Sequence, residues 1–265
     1  MSQRKFVEAE PGSRLYILPH PDDEIMAIPL LLEKNYVNHV IYLTDGAGIR
    51  PNAARATRRS TELTLALRLL NDEEISISQK PFASRILDGC CHKELSLADL
   101  KELESLIVAL DPTEIVTTAY EGGHQDHDTA SVVAGLLAEK TKKPIKYFAT
   151  YRATRSGFLP FQTMKPELSG GVINFSRIDA VKIAFKLMST YRSQWKTWVG
   201  VGPFVLFDFA FRTWHLDQGA TDNVITSLDN CFYENRGRCQ QSEVLSSLSK
   251  IKEGFMQNGG KNDRR

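Results

Sequence analysis

Nowhere in the 265 residues does an apolar run approach 18 consecutive positions, roughly the shortest helix that crosses the hydrocarbon core of a bilayer. The opening Met-Ser-Gln-Arg-Lys-Phe-Val-Glu has no apolar segment of the secretory-signal kind. Neither a membrane span nor export is expected, which points to a cytoplasmic protein. Cysteine is scarce: Cys90, Cys91, Cys231 and Cys239 form no C-x-x-C pair, and adjacent cysteines make a poor disulfide framework, so all four read as free thiols. Charge of one sign is lacking too, since 33 lysines and arginines against 32 acids leave a net charge of +1. That balance excludes the broad positive footprint of a nucleic-acid binder, although local clusters at Arg50 to Arg59 and Arg152 to Arg155 suit a phosphate or carboxylate on a small substrate. The G-x-G-x-x-G pattern is missing, so no dinucleotide cofactor is expected, and Asp45-Gly-Ala-Gly48 reads as turn chemistry.

What is present is the material of one α/β core: 42% hydrophobic and 25% charged residues in a chain near the upper end for a single domain. Strands are expected at 14–19, 38–44, 73–78, 114–119 and 145–151, alternating with helices at 23–34, 55–70, 96–110 and 128–140. This is the pattern of a Rossmann-like, mostly parallel sheet with helices on both faces. Residues 151–175 read as a long loop that walls a pocket and Arg177–Gln194 as a helix. Trp195 to Trp214 reads as aromatic strands or loops whose tryptophans pack in core or rim. The tail from Thr221 carries little signal, and Gly259–Arg265 is expected to fray.

Within that alternation, Leu15-Tyr-Ile-Leu-Pro-His-Pro-Asp-Asp-Glu24 sets a histidine and three acids at the end of an apolar strand. Pro19 and Pro21 stop the strand, and a helix with an apolar face at Ile25, Ile28, Leu31 and Leu32 follows. The carboxyl end of a strand is where ligands bind in an open α/β sheet. His20 and Asp23, three residues apart, can converge on one ion while Asp22 points to its open side. A catalytic zinc takes three protein ligands, so another must come from elsewhere. A second run, Ile115 to Ala119, empties into Tyr120-Glu-Gly-Gly-His-Gln-Asp-His-Asp128. Three of the chain's six histidines thus lie in two strand-end loops, expected to face each other across one cleft.

The pair Pro-His-Pro-Asp-Asp-Glu and His-x-Asp-His closely resembles the LmbE-like or PIG-L family of zinc-dependent N-deacetylases. Thr44-Asp-Gly-Ala-Gly48, Arg59-Ser-Thr-Glu62, Asp88-Gly89 and Tyr191-Arg-Ser-Gln194 agree with it. The resemblance covers about residues 14–195 well and 196–265 poorly, which implies a catalytic part followed by a variable C-terminal part of one domain. It implies His20, Asp23 and His127 as zinc ligands, with iron as an alternative metal, and Asp22 as the general base. It further implies that His124 steadies the oxyanion, that Asp126 orients a histidine, and that Arg59 and Asp88 line the substrate pocket. An imidazolium at His124 would also serve as proton donor to the leaving amine. The implied partner is a small N-acetylated amino-sugar conjugate, with homo-oligomerisation left open.

Plainer explanations exist for each residue. Acids before a helix usually cap it, each contributing about 0.3–1 kcal/mol, and Asp128 is expected to be such a cap. Arg59 lies among Arg55, Arg58 and Arg68 on a segment that reads equally as a solvated basic face. A two-histidine, one-carboxylate set also suits a non-haem iron oxygenase, and a catalytically silent sugar-binding relative would keep the fold alone. A free carboxylate at Asp22 favours hydrolysis.

Overall fold

A computed structural model describes residues 11–82, 86–154, 161–166, 169–217, 228 and 230–259. The first half alternates as expected: β1 (Gly12–Leu18), α1 (Ile28–Leu31), β2 (Tyr36–Tyr42), α2 (Ala53–Asp72), β3 (Ile77–Gln79), α3 (Cys91–Glu94), α4 (Leu97–Leu110), β4 (Glu114–Thr118), α5 (Gln125–Thr141) and β5 (Ile145–Phe148). A small antiparallel pair, β6 (Tyr151–Ala153) and β7 (Phe161–Thr163), comes next. Then follow β8 (Ser169–Ile173), α6 (Arg177–Thr190), α7 (Trp195–Phe211), β9 (Trp214–Asp217), α8 (Phe232–Asn235) and α9 (Gln241–Gly259).

Seven strands join in the order β3-β2-β1-β4-β5-β9-β8. The first five are mutually parallel, and β9 runs antiparallel to both its neighbours, β5 and β8. Alternate residues of β1 point to opposite faces: Tyr16 and Leu18 pack with Val40 and Val116 on one side, Leu15 and Ile17 with Ile41 and Ile115 on the other. Burial on both faces explains why these strands read as continuous apolar runs. The strand order reverses between β1 and β4, and a crevice opens at the carboxyl ends where an open α/β sheet reverses. The two histidine loops leave those two strands.

Several local expectations give way. Residues 23–34 form a 3-10 turn at Asp23–Ile25 and the one-turn α1 instead of one helix. Pro29 supplies no N–H, and Ile25 through Leu31 are buried on every side rather than along a stripe. The helix α2 runs on to Asp72 and Glu74 turns at φ 62°, which moves the strand expected at 73–78 to Ile77–Gln79. Helix α5 begins at Gln125, ahead of the expected 128, with His124 at its N-cap. Asp128 is no cap: its Oδ1 accepts the N–H groups of Glu121 and Gly122, both at 3.0 Å. The strand expected over 145–151 breaks after Phe148, and the supposed loop 151–175 holds β6, β7 and β8.

Trp195–Phe211 is helical despite Gly200, Gly202 and Pro203, because Trp198, Gly202, Val205 and Phe209 bury one face, and such burial outweighs propensity. The described part of the C-terminal segment belongs to the same architecture, since β9 lies inside the sheet and α9 packs on α4 and α5. The cysteines are free, as expected. Among the described residues no helix is long and apolar enough to cross a membrane. The expectations for the first ten residues, for 218–227 and for fraying over 260–265 fall outside the described residues.

Candidate active site

The turn after β1 holds its acids by contacts unrelated to capping. Asp22 occupies the N-cap position at φ 110° without a side-chain cap bond. A left-handed backbone there costs of order 1–3 kcal/mol and persists only where surroundings enforce it. Here the Asp22 N–H donates to Glu24 Oε2 at 3.0 Å, and Arg59 Nη2 donates both to Pro21 O and, at 3.1 Å, to Asp22 Oδ1. Glu24 is in turn held by the hydroxyls of Tyr42 and Tyr191. Asp23 faces the other way, as the i, i+3 spacing predicts. Its Oδ2 accepts the His20 N–H at 2.8 Å and stands 3.3 Å from His20 Nδ1, while its Oδ1 stands 3.3 Å from His127 Nε2.

The loop after β4 brings the other two imidazoles. Ring centroids of His20, His124 and His127 are 4.9, 5.4 and 5.5 Å apart in pairs. His127 Nδ1 lies 3.0 Å from Thr150 Oγ1, whose hydroxyl donates to Glu121 Oε1. That relay turns Nε2 toward the cluster, as carboxylate-backed histidines do in metal sites. Asp126 Oδ2 lies 3.0 Å from His20 Nε2 and accepts the Gly89 N–H, and its Oδ1 accepts the Cys91 N–H. The histidine that Asp126 orients is therefore His20.

The donor set fits a metal. Ring nitrogens of His20, His124 and His127 all lie within 4.8 Å of one another, as do ligand atoms of His20, Asp88, His124 and Asp126. Ligands about 2.0–2.1 Å from a tetrahedral zinc stand roughly 3.3 Å from each other, a spacing that Asp23 meets with His20 through Oδ2 and with His127 through Oδ1. Asp23 and His124 thus compete for the third position beside His20 and His127.

Burial and neighbouring charge divide the titrating groups. Burial pushes Asp22 up to about 6 against the pull of Arg59, with Asp23 adding to the rise. Burial acts on Asp23 as well, but His127 and His20 outweigh it and hold that carboxylate far below its ordinary range. His20 is held above its usual value because Asp88, Asp126 and Asp23 overcome its burial. His124 is driven down to about 3 by burial, with His20 and His127 adding to the fall against Asp126. That direction disfavours the imidazolium expected at His124.

Residues 15–136, the stretch that supplies the three histidines and both aspartates, match the PIG-L family, described as GlcNAc-PI de-N-acetylase. Solved structures of similar fold include a deacetylase of teicoplanin biosynthesis, 18% identical with a TM-score of 0.51 over 74% of this chain and 89% of that one. The A40926 pseudoaglycone deacetylase is 20% identical, with a TM-score of 0.55 over 81% and 100%. N,N'-diacetylchitobiose deacetylase from Pyrococcus horikoshii is 18% identical, with a TM-score of 0.53 over 73% and 75%. At these identities the likeness is one of fold. No curated protein matches the chain.

The other PIG-L motif pieces act as struts. Arg59 is buried, unlike exposed Arg55, Arg58 and Arg68, and faces Asp22 rather than solvent. Three residues on, Glu62 accepts from the Ser193 N–H and hydroxyl at 2.8 and 2.6 Å, which ties the turn after α6 to α2. Gly46, at φ 62°, leaves room for Arg59: a Cβ there would stand 2.8 Å from Nε. Asp88 Oδ1 stands 3.2 Å from His20 Nε2, so it touches the cluster itself. Sequence reasoning missed Thr150, Glu121 and Arg238. Glu121 was visible only as one acid among several in the second loop. Arg238, from the turn after α8, puts Nη1 2.9 Å from His124 Nε2. The guanidinium can only donate, so His124 Nε2 accepts from it, and His124 Nδ1 lies 3.2 Å from the Asp126 N–H.

Proposed function

We propose that this chain is a zinc-dependent N-deacetylase of one domain, which hydrolyses the acetamide of an N-acetylated amino sugar or its conjugate. The observation that carries the reading is Asp22, a carboxylate held beside the histidine–aspartate cluster yet turned away from it toward Arg59. His20, Asp23 and His127 would hold the ion. Asp23 is preferred to His124 as third ligand because it contacts both histidines at ligand spacing. Zinc would supply Lewis-acid polarisation of the amide carbonyl and a water of pKa about 7.

The chain's own groups account for the remaining needs. Asp22 takes the proton of the attacking water, and its raised value suits a base working near neutral pH. Attack on the carbonyl carbon develops negative charge on the carbonyl oxygen. Arg238 and His124, whose Nη1 and Nε2 lie 2.9 Å apart, would steady that charge, a role worth several kcal/mol. When the C–N bond breaks, the proton on Asp22 passes to the departing amine, so acetate and a free amino sugar leave. Arg59 fixes Asp22, and Asp88 lies where it would meet the sugar or the acetyl group.

A two-histidine, one-carboxylate set also serves iron oxygenases, but the separate carboxylate at Asp22 favours hydrolysis. The deciding experiment measures acetate release from a panel of N-acetylhexosamine conjugates, with metal content determined on the same preparation. Acetate release with near-stoichiometric zinc supports the reading. Oxygen consumption or phosphate-ester cleavage without acetate overturns it.

A further inference from the structure

The outward half of α7 is almost uniformly apolar. Trp195, Val199, Pro203, Phe207 and Phe211 follow at four-residue intervals and all are exposed, Trp195 by 58%, Val199 by 68%, Phe207 by 51% and Phe211 by 70%. The opposite face is buried through Trp198, Val205 and Phe209. A helix that is apolar all round is ordinarily buried, and a large exposed apolar patch marks an interaction surface. The patch extends to α6, which lies alongside: Arg177 Nη1 donates to Ala210 O, and exposed Ile178 follows Arg177.

Residues 177–212 contain six lysines and arginines against two aspartates. Lys182 and Lys186 pair with Glu73, and Arg212 pairs with Asp208, which is buried and also accepts from Thr163, so the positive excess along this face rests on Arg177, Arg192 and Lys196. Cations stand at both ends of the apolar face, Lys196 Nζ 5.8 Å from the Trp195 ring and the Arg212 guanidinium 5.8 Å from the Phe207 ring. Trp and Phe set among lysines and arginines are what an interfacial helix presents to a bilayer, with rings at the headgroup boundary and cations among anionic headgroups. A second copy of the chain fits less well. Two such faces stacked antiparallel about a two-fold axis bring Arg212 of one toward Lys196 of the other.

The face is also continuous with the site. Phe204 of α7 rests on Phe161 with centroids 5.6 Å apart, Phe161 on Phe232 at 5.9 Å, Phe232 on Tyr151 at 6.1 Å and Tyr151 on His127 at 5.6 Å. An aromatic seam thus leads from the exposed helix to the histidine cluster.

We infer that α7 docks the protein on the surface of an anionic lipid bilayer, the helix lying in the interfacial plane with Trp195, Val199, Phe207 and Phe211 among the acyl chains. Docking depends on this face and not on the proposed chemistry. The test is co-sedimentation of the full chain with vesicles of phosphatidylcholine alone or with roughly one-third phosphatidylglycerol. Binding is expected to the anionic vesicles, weakened by high salt. Phe207→Asp together with Phe211→Asp should weaken it about tenfold or more while leaving thermal unfolding unchanged, because both side chains are exposed. Lys196→Glu, which leaves every apolar side chain of the face in place, should weaken it as well, so the inference does not hang on one variant. Failure of the wild-type protein to bind anionic vesicles overturns the inference, as does binding indifferent to all three substitutions. A solution dimer that the same substitutions dissolve, without vesicle binding, overturns it in favour of a second copy.

Discussion

Arg59 reaches from the middle of α2 to Asp22, with Nη2 3.1 Å from Oδ1, and the same nitrogen holds the carbonyl of Pro21. One guanidinium therefore fixes both the left-handed turn and the direction of the carboxylate that leaves Asp23 free for the histidines. Asp22→Asn should keep the ion yet lower kcat by roughly a hundred- to ten-thousand-fold, the usual share of a general base. Turnover and metal content measured together decide it, and loss of zinc from the variant would show that the two aspartates have exchanged jobs.

The third ligand is settled by a pair of variants. Asp23→Ala and His127→Ala should both lower zinc stoichiometry after dialysis, whereas His124→Ala should retain the ion. Retention in Asp23→Ala with loss in His124→Ala would assign the site to the three imidazoles instead.

Thr150 is predicted to act through His127. Thr150→Val preserves shape but removes the oxygen 3.0 Å from Nδ1 and cuts the link to Glu121. Loss of such a partner typically costs about 10–100-fold in metal affinity. Competition with a chromophoric chelator measures it, and Thr150→Ser should restore most of the affinity.

At the oxyanion side, His124→Ala should lower kcat by roughly a hundred- to a thousand-fold with little change in KM. Arg238→Ala should act in the same direction, and the two losses should not add if both side chains serve one oxygen. A rise in KM alone for either variant would assign it to ground-state binding.

Gly123 tests the approach of the second histidine loop to β6. A Cβ there would stand 1.8 Å from the carbonyl oxygen of Tyr151, which is backbone and cannot swing aside. Gly123→Ala should destabilise the fold by about 1–3 kcal/mol or more, seen as a lower midpoint in denaturant, and should weaken zinc binding through displaced His124 and His127. An unchanged midpoint would mean that the loop and strand separate readily.

How much of this was legible in the chain follows from how local each cause is. The strands β1 and β4, the loops behind them and the opposite directions of Asp22 and Asp23 could be read from apolar runs, prolines and a three-residue spacing, because the forces that set them act within a few residues. The same reasoning failed at 23–34 and at 195–214. In those segments burial decided: Ile25 through Leu31 are enclosed on all sides and need no long helix, while Trp198, Val205 and Phe209 hold α7 together across two glycines and a proline. Arg59 shows the limit most plainly, since its sequence neighbours are exposed arginines and only the packing of α2 against the turn after β1 turns it inward. Thr150, Glu121 and Arg238 lie 23, 6 and 111 positions from His127 in the chain, and no periodicity joins them to it. The sequence by itself determined at which strand ends the histidines and aspartates gather. The tertiary structure alone decided which polar groups brace them, because hydrogen bonds among buried side chains form only once the sheet has brought distant segments within reach.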